Sequence, residues 1–208
     1  MKEYDTYLID FDGTIYDTKE ALRPVFREAF GTLGIRVTDE ECETFMHHTL
    51  LQAAQMKGVA MDQFQALVEA TAAALDGEEA MALTKPFSDT MYLISELKKR
   101  NKRIAVVSGN ISPHIRLVLR RDGIESDVHA VVGSDMFKHG KPSPEPLQLA
   151  MSLLGETNLD RTVYIGDSLQ DEQAATAAHI DSIIIVRGTS TENVQKTTIR
   201  RFDEIFGY

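Results

Sequence analysis

The stretch Tyr7-Leu8-Ile9-Asp10-Phe11-Asp12-Gly13-Thr14 decides the fold, because a short apolar run ends there in two carboxylates and a glycine. Apolar residues at consecutive rather than alternate positions are typical of strands buried on both faces of a parallel sheet. Residues i and i+2 of an extended chain point to the same side. The stretch therefore predicts a buried strand whose carboxyl end places Asp10 and Asp12 in one crevice.

Four further apolar runs repeat this pattern and predict the rest of the sheet. They occupy residues 103–107, 128–132, 162–165 and 182–186. Amphipathic stretches separate them, and strands that alternate with helices indicate a doubly wound parallel α/β sheet, which is a Rossmann-like fold. Residues 198–202 are a candidate for an additional edge strand.

The interval between the first and second strands is far longer than an ordinary crossover, since more than ninety residues separate Asp10 from Arg103. Residues 16–84 show no convincing strand pattern and are rich in Ala, Gln, Met and Glu, of which Ala is the strongest helix former. We therefore predict an α/β core of residues 1–15 and 85–208, with an inserted α-helical cap domain at residues 16–84.

The composition excludes several classes of protein. The chain has 208 residues, a formal charge of −10 and one cysteine, Cys42, and its pI is near 5.1. Nucleic-acid binding needs a basic surface, and one cysteine allows neither an internal disulfide nor a cysteine-based metal site. No apolar run reaches the roughly 20 residues of a membrane span, and the first residues lack the apolar core of a signal peptide. We expect a cytoplasmic monomer or homodimer with no nucleic-acid or membrane partner.

Polar residues also follow the later strands of the predicted sheet. Ser108-Gly109-Asn110 comes after the second strand, Lys141 after the third, and Asp167 and Asp171 after the fourth. The carboxyl ends of parallel strands meet at one edge, where ligands bind in α/β folds. Hydroxyl and amide donors suit phosphate oxygens, a lysine supplies positive charge, and carboxylate oxygens suit Mg²⁺.

Each of these signals has an ordinary structural alternative when it is taken alone. The paired carboxylates can end a solvated strand, Ser108-Gly109-Asn110 can be a simple turn, and Lys141 can be a solvated loop residue. Asp167 can cap a helix, since acidic groups are favoured at helix N-termini. Gly166-Asp167-Ser168-Leu169 also matches the motif of a family of serine esterases, but no DxxH pair follows it, so a nucleophilic serine is not supported.

Taken together and in this order, the motifs resemble the haloacid dehalogenase superfamily. The resemblance spans nearly the whole chain, from Asp10-Phe11-Asp12-Gly13-Thr14 through Ser108 and Lys141 to residues 166–171. The dehalogenating members lack an aspartate at the position of Asp12, so the chain looks most like the phosphoglycolate-phosphatase-like branch with a helical cap. The resemblance implies a Mg²⁺-dependent phosphatase acting on a small phosphorylated metabolite.

The resemblance also implies a role for each motif residue. Asp10 is the expected nucleophile, which forms an aspartyl phosphate, and Asp12 is the expected general acid and base. The residues expected to hold the transferring phosphoryl group are Ser108, Gly109, Asn110 and the catalytic Lys141. The expected ligands of Mg²⁺ are Asp10, Asp167, Asp171 and the backbone carbonyl of Asp12.

The predicted cap departs from the family pattern at one loop and carries a strong negative charge. Family members often read Phe-Ile-Gly-Pro-Pro-Leu where this chain reads Phe45-Met46-His47-His48-Thr49-Leu50. Either His47 or His48 contacts the leaving group of the substrate, or both lie on the surface of a helix that simply continues. Residues 38–84 hold nine acidic residues and one base, Lys57. We therefore expect a weakly anionic leaving group, such as a sugar or polyol, rather than phosphoglycolate or pyrophosphate.

Two other functions stay open on the sequence alone. A sugar phosphomutase of the same superfamily shares the paired aspartates and the cap, but returns the phosphoryl group to its substrate. A non-catalytic binding or regulatory domain on the same scaffold is the third interpretation. It is disfavoured because every expected catalytic residue type is present.

Overall fold

The chain divides into two compact units. A computed structural model describes residues 2–46, 48–187 and 197–207. One unit comprises Met1–Asp17 and Pro86–Tyr208, and the other comprises Thr18–Lys85. The boundaries placed by the sequence, at residues 16 and 84, lie within two residues of this division.

The described elements follow one another as the alternating pattern indicated. The strands are β1 (Thr6–Ile9), β2 (Tyr16–Asp17), β3 (Lys85–Pro86), β4 (Arg103–Val107), β5 (Ala130–Val132), β6 (Thr162–Gly166), β7 (Asp181–Ile185) and β8 (Thr197–Ile199). The α-helices are α1 (Lys19–Gly31), α2 (Asp39–Phe45), α3 (Leu50–Met56), α4 (Met61–Leu75), α5 (Glu78–Leu83), α6 (Thr90–Lys99), α7 (Ser112–Arg121), α8 (Glu145–Leu153) and α9 (Leu169–Ala177). Within the part of the chain that is described, no helix is long and apolar enough to cross a membrane.

A six-stranded sheet forms the core of the first unit. The strand order is β5-β4-β1-β6-β7-β8, and every neighbouring pair is parallel. The central strands are buried along their whole length, as continuous apolar runs require. This architecture confirms the predicted doubly wound α/β fold, and β8 confirms the additional edge strand.

The strand order reverses at β1, and this reversal positions the site. The chain passes from β1 to β4 and β5 on one side, and later to β6, β7 and β8 on the other. Ile9 is in register with Val106 of β4 and Ile165 of β6. The residues that follow these strands therefore meet at one edge, at the switch point where α/β folds bind ligands.

The second unit is a helical bundle with an aromatic core. The ring of Phe45 lies 5.6 Å from that of Phe26 and 5.5 Å from that of Phe30, measured between ring centroids, and all three side chains are buried. Edge-to-face and stacked ring pairs of this kind add to the stabilisation that burial gives. The bundle therefore has a hydrophobic core of its own.

The histidine loop breaks the helix instead of continuing it, so the interpretation of one uninterrupted helix is wrong. Helix α2 ends at Phe45, and Thr49 caps α3 in a reciprocal capping box with Gln52. His48 is exposed, and its Nδ1 donates to the carbonyl oxygen of Thr44 at 2.8 Å. His47 lies outside the described residues.

Candidate active site

Asp10 lies directly after β1 and is buried at the switch point. Its backbone N–H donates to the carbonyl oxygen of Ile165 at 2.8 Å, which continues the parallel ladder for one more residue. Its Oδ1 accepts a hydrogen bond of 2.8 Å from the ammonium of Lys141. A buried carboxylate is stable only with such partners. Asp10 is therefore paired with a cation at the switch point.

The ammonium of Lys141 links the polar groups of this site, because it has three polar neighbours in the described structure. Nζ lies 2.8 Å from Oδ1 of Asp10, 2.6 Å from Oδ1 of Asp171 and 3.1 Å from the hydroxyl oxygen of Tyr164. The Tyr164 hydroxyl in turn donates to Oδ1 of Asp171 at 3.1 Å. Lys141 thus places one positive charge between two buried carboxylates, and Tyr164 completes the hydrogen bonding.

Asp171 is fixed at the start of α9 by a reciprocal cap with Ser168. Its Oδ2 accepts hydrogen bonds from the Ser168 hydroxyl at 2.6 Å and from the backbone N–H of Ser168 at 3.0 Å. A side chain at Gly166 would put its Cβ 2.4 Å from Cγ of Asp171, so the close approach requires glycine. Ser168, and not Asp167 as the structural alternative had it, is therefore the N-cap residue of α9.

The turn after the first motif lies directly against Asp167. Gly13 has a φ of 76°, and a Cβ there would lie 2.4 Å from Oδ2 of Asp167. The Thr14 hydroxyl donates to Oδ1 of the same carboxylate at 3.2 Å. Glycine is thus required at position 13 for both its backbone conformation and the space it leaves.

Asp12 is oriented by the second motif. The Ser108 hydroxyl donates to Oδ2 of Asp12 at 2.8 Å and accepts the backbone N–H of Asn110 at 2.9 Å. The other carboxylate oxygen, Oδ1, is buried and has no hydrogen-bond partner among the described residues. Asn110 uses its side-chain oxygen to accept the N–H of Ile111 at 2.8 Å, and Gly109 is exposed with open space around it. Asp12 therefore has one carboxylate oxygen that no described protein group engages.

The acidic groups of the site strongly affect one another's ionisation. Burial raises the pKa of Asp10 well above its ordinary value, although Lys141 opposes the shift. Asp167 is exposed as a residue, but removal of its carboxylate from bulk water, together with the charge of Asp171, raises its pKa to about 7. Burial would raise the pKa of Asp171 too, but Lys141 and Ser168 outweigh it and the pKa is lowered. One lysine therefore does not balance the carboxylates gathered here.

Three of the aspartates fit a hard divalent cation. One oxygen each from Asp10, Asp167 and Asp171 lies within 4.8 Å of the other two. Mg²⁺ prefers carboxylate oxygens, and a cation among them offsets the mutual repulsion that adds to burial in raising the pKa values of Asp10 and Asp167. The donor set thus suits Mg²⁺ in number, charge and chemical type.

The structure brings most of the predicted site residues together at one edge of the sheet. Those joined by hydrogen bonds or by the acidic cluster are Asp10, Asp12, Ser108, Lys141, Asp167 and Asp171. Gly109 and Asn110 form the adjoining turn, and His48 belongs to the helical unit.

Sequence reasoning gave no role to Tyr164 and Thr14, which both contact the site. Tyr164 lies two residues before Gly166 on β6. Its polar hydroxyl within a buried apolar run is the sequence feature that could have indicated a contact with the site. Thr14 was part of the first motif, but its contact with Asp167 spans 153 residues of chain. Such a contact follows from strand register and not from local spacing.

Fold and site together define a doubly wound α/β protein with a lysine-centred acidic site at the carboxyl edge of its sheet. Residues 7–185 match the family model described as haloacid dehalogenase-like hydrolase. The chain therefore belongs to the haloacid dehalogenase-like hydrolases, as the resemblance of its motifs implied.

Similar proteins of known name agree with this family. Pyrophosphatase PpaX of Oceanobacillus iheyensis is 24% identical over 92% of this chain and 88% of its own length. A phosphoglycolate phosphatase of Colwellia psychrerythraea is 26% identical over 90% of this chain and 87% of its own length. The crystal structure of a haloacid dehalogenase-like hydrolase from Bacteroides fragilis has a TM-score of 0.85 at 26% identity, covering 98% of this chain and all of that one. CbbY from Rhodobacter sphaeroides, solved with phosphate, shares the fold with a TM-score of 0.81 at 24% identity, covering 97% of this chain and 96% of that one.

Proposed function

We propose that the chain is a Mg²⁺-dependent phosphatase that hydrolyses a small phosphorylated metabolite through an aspartyl phosphate on Asp10. The observation that carries the proposal is the placement of Asp10: it is buried, 2.8 Å from the Lys141 ammonium, and within an acidic cluster that suits Mg²⁺. The names of the relatives, a pyrophosphatase and a phosphoglycolate phosphatase, support the same reaction class.

The proposed reaction has two steps that use the same two aspartates. In the first, a carboxylate oxygen of Asp10 attacks phosphorus, the bond to the leaving oxygen breaks, and Asp12 gives that oxygen a proton. In the second, Asp12 takes a proton from water, which attacks phosphorus and breaks the bond to Asp10. Phosphate leaves, and both carboxyl groups return to their starting states.

The surrounding residues position these groups and balance charge. Ser108 holds Oδ2 of Asp12, which leaves Oδ1 free for the proton. Lys141 offsets negative charge beside Asp10, and Asp171 and Tyr164 fix the place of its ammonium. Mg²⁺ held by Asp10, Asp167 and the backbone carbonyl of Asp12, with Asp171 beside it, would neutralise the phosphoryl oxygens as charge develops.

Replacing Asp12 by asparagine is expected to slow the hydrolysis of alkyl phosphates much more than that of aryl phosphates. A poor leaving group such as an alcohol needs the proton that Asp12 supplies, whereas p-nitrophenolate leaves without one. Loss of a general acid costs about 10²–10⁴-fold. Single-turnover phosphorylation rates with glycerol phosphate and p-nitrophenyl phosphate measure the difference. Equal losses on the two esters would contradict the proposed role of Asp12.

The proposed substrate has a leaving group with little negative charge. The helical unit Thr18–Lys85 contains eleven acidic and six basic residues. Four of the six bases already form ion pairs with acids of the same unit, namely Lys19, Arg23, Arg27 and Lys57. If this unit acts as the cap, as family membership suggests, it has few cations to recognise a second anionic group. An unpaired desolvated charge is costly, so sugar or polyol phosphates are favoured.

A panel of phosphate esters tests the reaction and the substrate class together. Phosphate release with and without Mg²⁺ is measured on sugar phosphates, glycerol phosphate, phosphoglycolate and pyrophosphate. We expect Mg²⁺-dependent release, with kcat/KM at least about tenfold higher for the esters of neutral alcohols, a difference of roughly 1.4 kcal/mol. A strong preference for phosphoglycolate would refute the proposed substrate class but would still agree with the proposed phosphatase activity. An isomerised sugar phosphate without phosphate release would instead identify a mutase.

A further inference from the structure

Arg187 lies two residues after the end of β7, and its guanidinium is enclosed between two aromatic rings. Its Cζ is 4.2 Å from the ring centroid of Phe87 and 4.6 Å from that of Phe202. The side chain is only 15% exposed. Burial lowers the pKa of Arg187, although Asp89 opposes the shift. A cation at this depth is costly unless its hydrogen-bonding groups are fully used.

The polar edge of Arg187 contacts two groups. Nη1 lies 2.8 Å from Oδ1 of Asp89, which holds the guanidinium from one side. Nη2 and Nε both donate to the backbone carbonyl oxygen of Thr14, at 2.9 Å and 3.3 Å. The planar fork of arginine allows this paired donation, which a lysine cannot reproduce. The Arg187 side chain therefore fixes one peptide group of the turn after the first motif.

That peptide group belongs to the part of the turn that faces the catalytic carboxylates. The Thr14 hydroxyl donates to Oδ1 of Asp167, and Gly13 fits against Oδ2 of the same residue without room for a Cβ. Asp12 stands only two residues before Thr14. A shift of the Thr14 carbonyl would therefore move both the segment that carries Asp12 and the hydrogen bond that holds Asp167.

Two hydrogen bonds that do not involve Arg187 also attach this segment at the start of α6. The next carbonyl, that of Ile15, already accepts hydrogen bonds from the Thr90 hydroxyl at 2.6 Å and from the backbone N–H of Phe87 at 3.1 Å. A buried ion pair is also weak evidence for stability, because apolar side chains of similar volume often serve as well. These contacts favour a role for Arg187 in placing Thr14 over a role in folding.

We propose that Arg187 is a positioning residue of the active site, which holds the Thr14 peptide so that Asp12 and Asp167 keep their working geometry. This inference rests on the proposed function for its kinetic part. Its prediction for the binding of Mg²⁺ by Asp167 does not require turnover.

The test compares Arg187→Gln and Arg187→Lys with Phe202→Leu as a matched control. Phe202→Leu removes one stacked ring but keeps the hydrogen bonds from Arg187 to Thr14. For each protein we measure kcat and KM on p-nitrophenyl phosphate, the Kd of Mg²⁺ by calorimetry without substrate, and the midpoint of thermal unfolding. Loss of an outer-shell partner typically costs 10–100-fold in metal affinity or activity.

We expect Arg187→Gln to lower kcat by about 10–100-fold with little change in KM, and to weaken Mg²⁺ binding about tenfold. Arg187→Lys should recover part of each loss, because it restores the charge but not the fork. Phe202→Leu should keep kcat and Mg²⁺ affinity near wild type even where its unfolding midpoint falls. Thr14→Val, which removes the hydroxyl to Asp167, should weaken Mg²⁺ binding in a way that is not additive with Arg187→Lys.

Wild-type kcat and Mg²⁺ affinity in folded Arg187→Gln would overturn the inference, and so would equal losses in Phe202→Leu. If Arg187→Gln does not fold, Arg187→Lys and the double variant Arg187→Lys/Thr14→Val decide the question. Additive effects of the two substitutions on Mg²⁺ affinity would overturn the inference. If the wild-type protein hydrolyses no phosphate ester, the proposed function fails, while the Mg²⁺ affinities still test Arg187.

Discussion

Asp10→Asn is expected to abolish the hydrolysis of phosphate esters, with a loss in kcat of at least about 10³-fold. The amide cannot attack phosphorus as a carboxylate does, and no other group replaces the nucleophile. The substitution keeps the shape of the side chain, and Lys141 retains its contacts with Asp171 and Tyr164. Steady-state kinetics on p-nitrophenyl phosphate and thermal unfolding measure the two effects separately.

The matched control for this substitution is Asp160→Asn. Asp160 is exposed and stands two residues before the start of β6, away from the carboxyl edge of the sheet. Its replacement should leave kcat unchanged. Wild-type activity in purified Asp10→Asn would show that Asp10 is not the nucleophile.

Lys141→Met is expected to lower both activity and stability. The ammonium lies 2.8 Å from Asp10 and 2.6 Å from Asp171, so its removal leaves two buried carboxylates without their cation. Breaking a buried ion pair by removing one partner typically costs about 3–5 kcal/mol of stability. Activity should fall by at least about 10²–10³-fold, the loss that follows removal of one electrostatic partner of a transition state.

Chemical denaturation and kinetics measure these two losses, with Lys138→Met as the matched control. Lys138 is an exposed lysine three residues earlier in the same loop. Its replacement should change the unfolding free energy by less than about 0.5 kcal/mol. Equal stability of Lys141→Met and Lys138→Met would contradict the buried, charge-balancing position of Lys141.

The fold could be predicted from the sequence because its strands are buried on both faces. The continuous apolar runs around Leu8, Val106 and Ile165 are readable without any knowledge of contacts, and the residues after them then share an edge by topology alone. The closeness of Asp12 to Ser108 follows from that rule, whereas the contact of Lys141, in the loop after β5, with Asp10 was found only in the structure. The strand order and the choice of neighbours came from the structure.

The rest of the site could not be predicted, because it depends on contacts made by side chains far apart in sequence. Tyr164 could have been a core residue like the apolar residues beside it, and Arg187 could have been a surface residue after the fifth predicted strand. The structure shows instead that Tyr164 contacts Lys141, 23 residues away in the chain, and that Arg187 contacts Thr14, 173 residues away. The interpretation of the histidine loop as part of one continuing helix was wrong for a local reason. Thr49 and Gln52 form a capping box that starts a new helix there.

The most direct test of the central claim is a crystal structure of the protein with Mg²⁺ and beryllium fluoride, which mimics a phosphorylated aspartate. We expect a beryllofluoride group bonded to the Asp10 carboxylate, contacts from Lys141 to its fluorine atoms, and Mg²⁺ held by Asp10 and Asp167. Beryllofluoride on another aspartate, or Mg²⁺ bound away from Asp10, would contradict it.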